Sequence, residues 1–110
     1  MRLLPANTVI SNIVIDNIVD TQTDPQASSG TLLLGDGGGY GTNHPDSMRN
    51  IAVSNVICGS REAVIVAGFL TDSVISNIIN RNPDCPPISV RRENGLNNVT
   101  ITGTCSPAKP

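Results

Sequence analysis

Aromatic side chains are almost absent from this chain of 110 residues, which has one Tyr, one Phe and no Trp. A core filled by Ile, Val and Leu alone favours architectures that stack thin aliphatic layers, because no large rings are present to fill a wide interior. Charged residues make up only 15% of the chain and hydrophobic residues 38%, which excludes both a disordered segment and a surface-rich helical protein. Asn, Gly, Ser and Thr are abundant, and this mixture suits β-branched strands broken by tight turns.

The chain also has too few basic residues to indicate nucleic-acid binding. The formal net charge is −2. Residues 1–47 hold one Arg and five Asp, whereas residues 48–110 hold six basic and four acidic residues. Neither half is basic enough for a nucleic-acid partner. No stretch approaches the ~20 apolar residues that span a bilayer, and residues 1–7 lack the apolar region of a signal peptide. We therefore predict no nucleic acid and no membrane among the partners.

Metal-ligating residues are scarce as well. Cys58, Cys85 and Cys105 are an odd number of cysteines and lack a Cys-x-x-Cys spacing. They are either three thiols or one thiol and a Cys85–Cys105 bridge between neighbouring coils. His44 is the only histidine, and no second histidine, cysteine or acid stands at ligand spacing from it. The sequence predicts no metal and no cofactor.

What is present is an internal repeat. The segment Val9–Ile13 recurs letter for letter as Val74–Ile78. A looser form of the repeat gives four aligned lines: Ile13–Ile18, Ile51–Val56, Ser73–Ile78 and Val99–Thr104. Periods of this kind are the signature of solenoid architectures.

The spacing of the repeat identifies one large loop. The third residues of the four lines are Ile15, Val53, Ile75 and Ile101, separated by 38, 22 and 26 residues. A second, weaker set of strands falls between them: Leu32–Leu34, Val64–Val66 and Ile88–Val90. Both sets place the excess length in the first coil, as a loop insertion at about residues 35–47.

The physical reason for the repeat lies in the alternation of side chains along a strand. Ile51 and Val53 should face the interior while Ala52 and Ser54 face solvent. The following residue, Asn55 in this line, should occupy a sharp corner, because Asn tolerates the left-handed backbone conformation. Stacking then places like residues above one another, so that Asn amides can bond along the column. The sequence predicts an all-β fold: a right-handed parallel β-helix (solenoid) of about four coils, forming a single domain over residues 1–110 that is part of a longer β-helix.

Two sets of residues are candidates for ligand contact. In the Gly-rich loop, Tyr40 could stack on a sugar ring while His44 or Asp46 makes polar contacts; the alternative is a flexible insertion. Arg91 and Arg92 follow a strand and could clamp the carboxylate of an acidic sugar. The alternative for this pair is surface ion pairing with Glu62 and Glu93, which contributes little energy.

The repeated lines, of which Asn50–Val56 is one, resemble the pectin-active β-helix superfamily. Within it the similarity is closest to the family 28 glycoside hydrolases, the polygalacturonases and their bacterial relatives, and to their later, C-terminal coils. The resemblance implies a polysaccharide partner, hydrolase chemistry and an extracellular or periplasmic location. Tyr40, Arg91 and Arg92, chosen above for the chemistry of their side chains, are the substrate-binding residues that we predict.

The catalytic motifs of that family are missing from this chain. It has no Asp-Asp pair, no Gly-His-Gly and no Arg-Ile-Lys, so the catalytic residues stay unknown and the segment alone is expected to be inactive. The alternative is a non-catalytic β-helix, such as the shaft of a phage tailspike or a surface adhesin.

Overall fold

The computed structural model describes residues 1–3, 8–21, 31–35, 47–59, 62–82, 85–91 and 95–102. Eight strands lie within these ranges: β1 (Arg2–Leu3), β2 (Ile10–Val19), β3 (Leu32–Leu34), β4 (Met48–Cys58), β5 (Val64–Val66), β6 (Leu70–Asn80), β7 (Ile88–Val90) and β8 (Leu96–Thr102). The prediction of an all-β fold is confirmed.

The strands form two parallel sheets of four strands each. The short strands make one sheet in the order β1-β3-β5-β7, and the long strands make the other in the order β2-β4-β6-β8. The chain therefore alternates between the sheets, and each short–long pair of strands adds one strand to both. Parallel neighbours need a crossover connection, and here the strand of the other sheet lies within each crossover.

The register of the long sheet confirms the alignment of the repeat. Ile15 pairs with Val53, Val53 with Ile75 and Ile75 with Ile101. The weaker set of strands is confirmed too, because β3 pairs with β5 and β5 with β7. The sequence did not predict β1, which pairs with β3, because two residues are too few to display a period.

The core lies where the inner faces of the two sheets meet. Aliphatic side chains of both sheets belong to one buried cluster: Ile15, Ile51, Val53, Val56, Leu70, Ile75 and Ile78 from the long sheet with Leu32, Leu34, Val64 and Val66 from the short sheet. The predicted facing is confirmed, since Ile51 and Val53 are each 1% exposed whereas Ala52 is exposed.

The long strands depart from strict alternation at two fixed positions. In β4 the side chains of Arg49 and Asn50 both avoid the core, and so do those of Ser54 and Asn55. The second residue of each pair has a positive φ, 53° at Asn50 and 57° at Asn55. A left-handed residue shifts the phase of the strand, and among non-glycine residues Asn and Asp adopt it most readily. The left-handed conformation predicted for this position of the repeat is confirmed at Asn17, Asn55 and Asn77, which all have positive φ.

The predicted insertion begins at a residue that must be glycine. Gly35 has a φ of 77°, and a Cβ atom on it would lie 2.7 Å from the backbone of Gly68. Its N–H donates to the carbonyl oxygen of Leu3 at 2.8 Å. Of the insertion at 35–47, Gly35 and Ser47 belong to the described part of the chain, and residues 36–46 lie outside it.

The cysteines are described in part. Cys58 is a buried thiol whose Sγ lies 3.8 Å from the carbonyl oxygen of Glu62, and Cys85 is half-buried. Cys105 lies outside the described residues, and the predicted alternative of a Cys85–Cys105 bridge lies there with it. Over the described ranges, no helix is long and apolar enough to cross a membrane, and no group of three His, Cys, Asp or Glu side chains is placed to hold a metal ion.

Candidate functional site: the outer face of the long sheet

Left-handed residues form two columns on the outer face of the long sheet. Three positions before each marker residue, the first Asn column contains Asn12, Asn50, Asp72 and Asn98. Two positions after the markers, the second Asn column contains Asn17, Asn55 and Asn77. All seven residues have φ between 50° and 60°. Because neighbouring strands are parallel and in register, the side chains of one column stand about 4.8 Å apart.

The second Asn column is connected by hydrogen bonds from β6 to β2. The Asn77 amide donates to Oδ1 of Asn55, and the Asn55 amide donates to Oδ1 of Asp16 at 2.8 Å. The Ser54 hydroxyl donates to the same carboxylate oxygen at 2.9 Å. These bonds to Asn55 and Ser54 lower the pKa of Asp16 below its ordinary value of 3.8, because they stabilise the ionised form. This series of hydrogen bonds therefore ends on a carboxylate whose Oδ1 accepts from two side-chain donors.

The first Asn column is interrupted in its middle. The Asn50 amide donates to Oδ1 of Asn12 at 2.6 Å, and the Asn98 amide donates to Oδ1 of Asp72 at 2.8 Å. Asp72 pairs in register with Asn50, since Arg49 pairs with Thr71 and Ala52 with Val74. An ionised Asp has no N–H to donate, and the amide nitrogen of Asn50 is already directed at Asn12. Two hydrogen-bond acceptors, Oδ1 of Asn50 and the Asp72 carboxylate, therefore stand next to each other.

An open depression of about 560 Å³ lies over this interruption. Val9, Ser11, Asn12, Arg49, Asn50 and Asp72 line it. Arg49 is exposed, and within the described ranges its guanidinium makes no ion pair; the ion pair found there joins Arg91 to Glu62. Val9 adds an apolar surface that is 54% exposed. The depression thus combines a cation, two adjacent acceptors, a hydroxyl and an apolar wall.

The structure places one of the three predicted binding residues. Nη2 of Arg91 lies 3.4 Å from Oε1 of Glu62, and the side chain of Arg91 is 55% exposed. This is the surface ion pair that the sequence offered as the alternative to substrate binding. Tyr40 and Arg92 lie outside the described residues, together with His44, Asp46 and Glu93. Whether Arg91 binds an acidic sugar stays a prediction.

Sequence reasoning missed Arg49, Asn50 and Asp72 as a site. A signal was available, because an Asn or Asp stands three residues before all four markers. The repeat was used to predict left-handed residues in the second Asn column alone. The first Asn column, which contains the exposed Asp72, was therefore assigned no role.

Comparison of the chain with protein-family models, with curated proteins and with solved structures gives no match.

Proposed function

We propose that the chain is a right-handed parallel β-helix of four coils that binds an acidic polysaccharide without hydrolysing it. Three features support the architecture. The chain alternates between two parallel sheets, left-handed residues recur at two fixed positions along the long strands, and both sheets contribute to one aliphatic core. The right hand follows from the strong preference of parallel crossover connections. The coil sequences that resemble family 28 glycoside hydrolases support the same architecture.

One observation carries the proposed function: Arg49 is an exposed guanidinium without an ion pair among the described residues, set beside adjacent side-chain acceptors. A guanidinium binds a carboxylate with two parallel hydrogen bonds. Side-chain amide and carboxylate oxygens accept hydrogen bonds from hydroxyl groups. A ligand that carries a carboxylate and several hydroxyls satisfies both, and a uronic acid unit of an extracellular or periplasmic polysaccharide has that chemistry.

Binding is favoured over hydrolysis by the state of Asp16. Inverting glycoside hydrolysis needs one carboxylic acid to protonate the leaving group and one carboxylate to activate water. The donors Asn55 and Ser54 lower the pKa of Asp16, so this group is a poor proton donor near neutral pH. Asp72, the other acid among the described residues of this face, accepts from Asn98. The lowered pKa of Asp16 is the opposite of the raised carboxyl pKa that a general acid requires.

Calorimetric titration of the chain with oligogalacturonate tests the proposal. We expect R49Q to weaken binding about tenfold or more, because a hydrogen bond to a charged group contributes about 1.5–3 kcal/mol. R81Q is the matched control, since Arg81 is also exposed and the substitution changes net charge equally. A reducing-sugar assay on polygalacturonate should detect no product.

The other outcomes are equally informative. If R91Q or R92Q abolishes binding and R49Q does not, the site lies where the sequence predicted it and not at the depression. If the unaltered chain binds no oligogalacturonate, the glycan proposal fails, and a non-catalytic shaft of the tailspike or adhesin type replaces it. Release of reducing sugar would contradict the role given to Asp16.

A further inference from the structure

The interruption of the first Asn column would be removed by one change, from the carboxylate of Asp72 to the amide of an Asn. The presence of Asp at this position therefore requires an explanation. Asn at position 72 would accept from Asn98 as Asp72 does and could also donate to Oδ1 of Asn50. It would suit the left-handed conformation equally well. The column would then run unbroken from Asn98 to Asn12, as the second column runs from Asn77 to Asp16.

With Asp72 at this position, two hydrogen-bond acceptors lie next to each other on neighbouring strands of the sheet. This arrangement is unfavourable in the unliganded protein, because two oxygens that both carry negative charge repel each other and neither supplies a proton. The Asp16 carboxylate, only one column away, has no such conflict, since Ser54 and Asn55 both donate to it. Among the described residues, the same face therefore contains one carboxylate that accepts from two side-chain donors and one that accepts from a single donor.

We propose that Asp72 and Oδ1 of Asn50 form the hydroxyl-recognition element of the binding site, accepting hydrogen bonds from two neighbouring hydroxyl groups of one sugar unit. This inference rests on the proposed function and adds to it the residues that read the hydroxyls. Arg49 lines the same depression and engages the carboxylate of that unit or of its neighbour. The apolar side chain of Val9 contacts the carbon face of the ring. The gap in the column is thus filled by ligand hydroxyls, which supply the missing donors.

The substitution D72N separates this role from a purely structural one, because the two roles predict opposite changes. Asn at position 72 completes the column, so the midpoint of thermal unfolding should rise by about 4 °C, the shift that one net hydrogen bond gives in a domain of this size. It also occupies Oδ1 of Asn50 and removes the carboxylate, so affinity for oligogalacturonate should fall about tenfold or more. A more stable protein that binds less well is the expected result.

The control is D16N, which changes a carboxylate on the same face that already has its donors. It should lower the unfolding midpoint and leave the affinity for oligogalacturonate unchanged. A D72N protein that is more stable and binds with unaltered affinity would overturn the recognition role of Asp72. So would a D72N protein that is less stable than the unaltered chain, because Asp72 would then be contributing to the fold.

The two failures are distinguishable. Retained binding in D72N with loss of binding in R49Q leaves the proposed function intact and removes only the hydroxyl-recognition element. Retained binding in both variants removes the depression as the site. A second probe, methyl-esterified oligogalacturonate, should lose the contribution of Arg49 and keep that of Asp72, so D72N should still weaken its binding.

Discussion

The two Asn columns have the same backbone and different side-chain partners. In both columns a left-handed Asn or Asp lets two successive side chains of a long strand avoid the core. In the second column, hydrogen bonds run from Asn77 to Asn55 and from Asn55 to Asp16, the residue before Asn17. The first column contains two separate bonds with Asp72 and Asn50 facing each other between them.

This difference separates two requirements on a repeated Asn: the backbone conformation that it must adopt and the hydrogen bonds that its side chain must make. The backbone requires a residue that tolerates positive φ, and Asn, Asp or Gly satisfies it. The side-chain hydrogen bonds of a column require that each member accepts from one neighbour and donates to the other, which among Asn, Asp and Gly only Asn can do. Asp72 adopts the positive φ that the backbone requires but cannot donate to Asn50. The side-chain hydrogen bonds of the first Asn column are therefore interrupted at Asp72.

The largest effect should come from removing an amide that satisfies both requirements. In N55A, Ala takes on the left-handed strain of about 1–2 kcal/mol, and two side-chain hydrogen bonds of about 0.5–1.5 kcal/mol each are lost. We expect the free energy of unfolding in urea to fall by about 3 kcal/mol. The matched variant N50A loses the single bond to Asn12 and should fall by less. Equal losses in the two variants would show that the columns do not differ in their side-chain partners.

A smaller effect, dependent on pH, should follow from D16N. The pKa of Asp16 is lowered in the folded chain by Asn55 and Ser54, so its carboxylate stabilises the fold at pH values above the unfolded pKa. That contribution is lost as pH falls through the lowered folded pKa. Urea midpoints of the unaltered chain and D16N should therefore differ at pH 7, and the difference should begin to shrink below about pH 3.8 and vanish below the lowered pKa of folded Asp16. A difference that stays constant down to pH 2 would contradict this contribution.

The smallest effect should come from N17G. Asn17 has a φ of 59°, and its side chain makes no hydrogen bond to the described residues, since the Asn55 amide reaches Asp16 instead. Gly adopts positive φ without steric cost and loses only chain entropy. The urea midpoint should move by an amount equivalent to less than about 0.5 kcal/mol. A loss of stability comparable with that of N55A would mean that the Asn17 side chain takes part in the hydrogen bonds of the second Asn column.

Much of the fold could be predicted, because the repeat encodes it locally. Ile15, Val53, Ile75 and Ile101 were aligned from sequence, and the long sheet pairs them in that register. A strand with one buried face has strongly specified register, since a slip of one residue would expose its apolar set. The pairing of Arg2 with Leu33 could not be predicted, because two residues carry no period.

The candidate site was far less predictable. Arg91 and Arg92 were selected because they are adjacent in sequence, yet Arg91 lies 3.4 Å from Glu62, a residue 29 positions away along the chain. Arg49 was overlooked because nothing in its local sequence distinguishes an exposed guanidinium without an ion pair from one that has a partner. Whether an exposed Arg has an ion-pair partner depends on which side chains the crossover connections bring next to it on neighbouring strands.

The sequence by itself determined the class of fold, the alignment of the long strands and the left-handed residues of the second Asn column. Each of these follows from local facts: β-branched residues extend the chain, Asn permits positive φ, and alternation fixes which side faces the core. Only the tertiary structure decided that Asp16 accepts from two described side-chain donors while Asp72 accepts from one, and that Arg49 shares a depression with Asn50. The Ser54 hydroxyl that donates to Asp16 lies 38 residues away along the chain. No local sequence pattern indicates which side chain lies beside Asp16 on the neighbouring strand.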